Sequence, residues 1–154
     1  MSTYESNPAE IGVGKRYGAR TIGGVGGTLI GLDSEMDIVV HIDAADDGGP
    51  KEVALPPLAL IDLDAVFQSV KAAFGAGVVT FTVQAKDANG DYAAGTAMDP
   101  ITLGTSIATS LHDVNTTAIT ASYETGQYGA KLSWAFGTAP TLGKGQIVFH
   151  ATRI

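Results

Sequence analysis

The chain has 154 residues, 45% of them hydrophobic and only 16% charged, with a net charge of −7. That length makes a single domain able to bury roughly 70% of its unfolded surface, so no staple is needed to hold a core. Nine Lys and Arg leave little material for a basic stripe along phosphate backbones, and with no Cys there are no disulfides, thiolate metal sites or cysteine nucleophiles.

A charged share this far below the usual quarter puts Ser, Thr, Gly and Ala on the surface, which suits dense assemblies. Taken in chain order, Met1 to Pro8 lacks a basic start followed by an apolar stretch, so no secretory signal is expected. No run of about 18 apolar residues exists, so neither a membrane span nor a membrane partner is expected, and synthesis in a cytoplasm follows. Residues 1–27 hold Pro8 and glycines such as Gly12, Gly14 and Gly18 with no sustained period. Glycine costs backbone entropy on ordering, so this stretch reads as an extended N-terminal arm that folds back or lies on a neighbour.

Residues 28–154 read as strands. Met36, Ile38, Val40 and Ile42 alternate with Asp37, Val39, His41 and Asp43. The same period runs through 79–86, 119–124, 131–136 and 147–152, as one buried and one wet face require. Between these runs lie Asp46 to Pro50, Asn89-Gly90-Asp91, Thr125-Gly126 and Leu142 to Gly145, all turn chemistry. Short strands with turns between them predict a mostly β chain, a sandwich or closed barrel. Residues 62–74 are open to two readings. Leu63, Val66, Phe67, Val70 and Phe74 follow helical spacing, with Asp62 or Asp64 as cap and Gly75 as stop, while Ile61, Leu63, Ala65 and Phe67 alternate. Periodicity leans toward the helix.

Chemical motifs are weak. Gly12 to Arg16 and Gly143 to Gln146 lack the spacing of a phosphate loop. Asp87 to Asp91 resembles part of a calcium loop, but Gly90 falls fourth rather than sixth and Met98 takes the distal position, so a hairpin turn is preferred. Calcium is the lesser alternative there, as it is for Asp43 to Asp47. His41 shares a face with Asp37 and Asp43, an arrangement more often a solvated face than a site. His112 falls in a polar loop and His150 on the wet side of the last strand. No HExxH or GxSxG stands in the sequence, so neither an enzyme nor a cofactor nor a metal site is expected. Asn115-Thr116-Thr117 matches a glycosylation acceptor and is assigned no role. Trp134 shares its face with Leu132 and Phe136, which favours core packing over a sugar platform.

The stretch Arg16-Tyr17-Gly18-Ala19-Arg20-Thr21, followed by glycines and an alternating strand, resembles the start of small tailed-bacteriophage head decoration (cement) proteins. So does the block from Leu55-Pro56-Pro57-Leu58-Ala59-Leu60-Ile61 through Ala73-Phe74-Gly75-Ala76-Gly77 to Val78-Val79-Thr80-Phe81-Thr82-Val83. The resemblance implies an antiparallel, jelly-roll-like β-sandwich on the capsid exterior of a virion, bridging subunits of the major capsid protein. It also implies a strand over residues 62–74. The chain departs from the pattern in its Asp-rich loop at Asp43 to Pro50. Self-association as a dimer or trimer is expected, and the arm residues Tyr4, Ile11, Val13, Arg16, Tyr17 and Arg20 are the expected capsid or subunit contacts. A tail or fibre β-sandwich component and a carbohydrate-binding module are the alternatives.

Overall fold

The computed structural model of the chain describes residues 20–24, 27–31, 35–45 and 51–154. Alternation sets the frame. In β3 (Glu35–Asp43), Met36, Ile38, Val40 and Ile42 point inward and are buried. In β13 (Lys144–Arg153), Gly145, Ile147, Phe149 and Ala151 do the same. The two strands pair antiparallel along almost their whole length, Ile147 opposite Val40 and Phe149 opposite Ile38, which stacks their apolar residues on one face.

Around this pair the larger sheet is built. On the free edge of β3 lies β2 (Gly27–Gly31), and on β2 lies β1 (Arg20–Gly24). The other edge of β13 is shared. Its C-terminal part pairs with β5 (Ala59–Asp62), which carries β11 (Ser122–Glu124). Its N-terminal part pairs with β6 (Val66–Ala72), which carries β10 (Thr109–His112). The second sheet runs β4 (Lys51–Leu55), β12 (Ala130–Thr138), β7 (Val78–Ala85), with β8 (Thr96–Ala97) and β9 (Ile101–Thr102) both on the far edge of β7. All pairings are antiparallel, and the two sheets pack into a β-sandwich.

The inner faces meet through aromatic rings. Phe81 of β7 meets Phe149 of β13 edge-on, with centroids 4.9 Å apart and ring planes at 77°. Trp134 of β12 stands 6.5 Å from Phe81 and 6.0 Å from Phe136. Phe81 and Phe149 are fully buried, and each such side chain contributes about 1.5–3 kcal/mol by leaving water.

Residues 62–74 hold no helix: Asp62 ends β5, Val66–Ala72 form β6, and residues 63–65 and 73–74 lie outside the strands. Val66, Gln68 and Val70 face the core while Phe67 faces outward and is 46% exposed. The helical spacing arose because Phe67 is an apolar residue on the wet face, and because the strand is interrupted. Ile61 pairs with Ala151 and Phe67 with Val148, so six steps on one strand answer three on the other. Three extra residues therefore loop out between β5 and β6, a wide form of bulge. The loop from Asp113 to Ala121 pins them. The Leu63 amide donates to the Ala121 carbonyl at 2.9 Å, the Val114 amide donates to the Leu63 carbonyl at 3.0 Å, and the Asn115 side chain donates to Asp64.

The predicted run 119–124 is also shorter as a strand. Only residues 122–124 pair, with Tyr123 inward opposite Ile61, and Ile119 is buried from the loop instead. Of residues 1–27, Arg20–Gly24 form β1 and Gly27 opens β2; the turn expected at Asp46 to Pro50 lies outside the described residues.

Candidate functional site

Register carries side chains across the outer face of the larger sheet in rows. Leu111 of β10 is opposite Phe67 of β6, Phe67 is opposite Val148 of β13, and Val148 is opposite Val39 of β3. The result is an apolar band four strands wide, with Leu111 59% exposed, Phe67 46% exposed, Val148 half-buried and Val39 nearly covered. The row beside it is polar: Thr109, Ser69, Gln146 and His41.

Charge divides the two ends of that face. On one side of the band stand Glu35, Asp37, Asp62, Asp64 and Glu124. His150 lies among them, its Nδ1 3.2 Å from Asp37 Oδ1 and its Nε2 3.6 Å from Glu35 Oε1. A shallow cleft of about 320 Å³ opens here at the bulge, lined by Leu60, Asp62, Asp64, Ser122 and His150. The other end carries Lys71 and Lys144, both exposed, with Lys144 Nζ 3.8 Å from Asp43 Oδ2.

A second exposed apolar group lies at one end of the sandwich. Leu58 is 45% exposed and holds φ at +54°, a conformation that costs a non-glycine residue roughly 1–2 kcal/mol. Its amide donates to the Gly126 carbonyl and its carbonyl accepts from the Ile154 amide, both at 2.8 Å. Ile154 is exposed, as is Tyr128, which lies between Gly126 and Gly129 in the turn packed on residues 55–57.

His112 belongs to β10 rather than to a polar loop, and its ring meets Gln68, a buried polar residue on the inner face. Gln68 Oε1 accepts from the Gly104 amide at 2.8 Å, and its Nε2 donates to the Thr102 carbonyl at 3.1 Å. Those two bonds fix the amide's orientation. Its second N–H then points at His112 Nε2, 3.0 Å away, which must present a lone pair and leave the ring proton on Nδ1. Ser110 Oγ lies 3.0 Å from the same nitrogen. Burial pushes the His112 pKa down.

The other sequence candidates find ordinary places. His41, Asp37 and Asp43 do share the outer face, but Asp37 meets His150 rather than His41, and Asp43 Oδ1 accepts from the Ala45 amide. Asp87 Oδ1 accepts from the amides of Asn89 and Asp91, with Gly90 at φ +87°, so the acidic run is a side-chain-capped turn. Among the described residues no group of three or more His, Asp or Glu is placed to hold a metal ion. Tyr4, Ile11, Val13, Arg16 and Tyr17 lie outside the described residues, and Arg20 is the first residue of β1, paired with Gly31. Sequence reasoning missed the apolar band because its members are distant in the chain; the local signals are Val39, Phe67 and Val148, each apolar at a position that alternates with core residues. A search of protein-family models and of curated proteins finds no match to this chain.

Proposed function

We propose that the protein is a structural component of a virion, a decoration protein bound outside a tailed-bacteriophage head and bridging major capsid protein subunits. The resemblance of residues 16–21 and 55–83 to that family supports this reading. The observation that carries it furthest is Leu58. A leucine held at positive φ by two backbone hydrogen bonds, yet turned to solvent beside Ile154, is a rigid apolar knob at the tip of a sandwich. Backbone strain kept in place by its surroundings marks positions used for contact. Leu58 is already more than half covered, so burying the rest of it on a capsid subunit contributes about 1 kcal/mol, and repetition over a shell multiplies such modest contacts. The arm adds Tyr4, Ile11, Val13 and Tyr17 as apolar anchors and Arg16 and Arg20 as cations in an otherwise acidic chain.

Cosedimentation with undecorated heads tests the reading. The full chain binds, Leu58→Asp binds at least tenfold more weakly while its circular dichroism is unchanged, and a chain lacking residues 2–20 also binds more weakly. Full binding by both folded variants, or no binding by the full chain, refutes it.

A further inference from the structure

The outer face of the larger sheet is complementary to itself. We infer that it takes a second copy of this chain, face to face, about a two-fold axis lying along the Leu111–Phe67–Val148 row. The inference stands apart from the capsid reading, which concerns the Leu58 end.

Three observations lead there. The first is the band itself: Leu111 and Phe67 are large, exposed and adjacent by register, with Val148 beside them. An axis along this row stacks the band of one copy on the band of the other and removes both from water.

The second is charge. A two-fold along the row reverses the strand direction and keeps each strand over its own counterpart. Lys144 lies four residues before Val148, so it is carried over the position four residues after, Thr152 of the other copy. Register sets Thr152 between Glu35 and Leu60, and Leu60 beside Glu124. In the same way Lys71, four residues beyond Phe67, comes over the bulge that holds Asp62 and Asp64. The polar row of Ser69, Gln146 and His41 falls over Asp37 and His150. Lys144 and Lys71 therefore each meet an acidic end, twice per dimer, as an isologous interface demands, while Asp43, four residues after Val39, comes over Glu35 with Lys144 beside it to offset the repulsion. Opposed charges of this kind set register and partner choice more than raw affinity.

The third is area. Four strands at about 4.8 Å and nine residues at about 3.3 Å give a face of roughly 19 by 30 Å, or about 570 Å² per copy. A standard stable interface buries about 800 Å² per partner, so the face is of the size a weak, concentration-dependent dimer uses.

Sedimentation velocity of the full chain over a range of concentrations reads the result. The chain runs as a dimer that dissociates more readily as salt is raised. Phe67→Asp, at a half-exposed position that does not support the core, weakens dimerisation at least tenfold with circular dichroism unchanged. Lys144→Glu weakens it, and so does the double variant Glu35→Lys with Glu124→Lys. Mixing these two singly weakened proteins restores a dimer, because opposite charges again face each other across the axis. A monomer at all concentrations, a trimer, a dimer indifferent to Phe67→Asp, or no recovery on mixing overturns the inference.

Discussion

Replacing Gln68 with Leu tests whether the buried amide is a structural tie between β6 of the larger sheet and β9 of the second sheet with the loop that follows it. Leucine nearly preserves the volume but offers no polar atoms. The Thr102 carbonyl, the Gly104 amide and His112 Nε2 each lose a partner. An unpaired buried group costs about 1–3 kcal/mol, and His112 lies near enough to the surface for water to replace part of its loss. The expected destabilisation is therefore at least about 2 kcal/mol, or a fall of at least roughly 4–8 °C in Tm for a domain of this size. Urea unfolding measures the first figure and calorimetry the second.

The pH dependence adds an independent readout. Burial holds the folded His112 pKa below its unfolded value of 6.5. The unfolded chain then takes up the proton first, so stability is full above pH 6.5 and falls as pH drops through 6.5 toward the folded pKa. Protonated Nε2 would set a donor against the fixed Gln68 N–H, which acts in the same direction. The titratable groups nearest in the chain and on the packed loop are Asp113 and Asp99, whose amide donates to the Val114 carbonyl. In Gln68→Leu the opposing donor is gone, so the loss of stability between pH 7 and 5 is shallower than in the parent. A variant within 0.5 kcal/mol of the parent, or one with an identical pH profile, refutes the argument.

Two further substitutions are predicted from packing. Gly143 holds φ at +118° and a Cβ there would stand 2.6 Å from the Phe74 Cα and ring, so Gly143→Ala costs at least about 2 kcal/mol in urea unfolding. Trp134 Nε1 is buried with no hydrogen-bond partner among the described residues; Trp134→Phe therefore costs only the lost volume, about 1–2 kcal/mol, less than the 3–5 expected of truncation to Ala.

Strands β3, β7, β12 and β13 were legible because each has one buried face and keeps strict parity over seven or more residues. Residues 62–74 were not, since an outward Phe67 and a three-residue interruption together imitate a helical stripe. The short strands β4 and β8 to β10 carry little alternation of their own; they exist because a neighbouring edge needs hydrogen-bond partners. His112 was misplaced for the same reason, lying on a strand whose one partner among the described residues is β6. The outer-face band was legible only in fragments such as Val39 among Asp37, His41 and Asp43, because a row across a sheet is a property of pairing and not of any one segment.

The position of β13 has a consequence for synthesis in the cell. It follows every other described strand in the chain, yet it lies between β3 and the β5–β6 ribbon. At about 5–20 residues per second, β3 emerges roughly 5–20 s before the strand that will cover its edge. During that interval Ile38, Val40 and Ile42 have only half their sheet, and an unpaired apolar edge is a template for wrong partners. High expression at elevated temperature should therefore favour inclusion bodies, and slower translation through residues 100–150 should aggravate rather than relieve the fault.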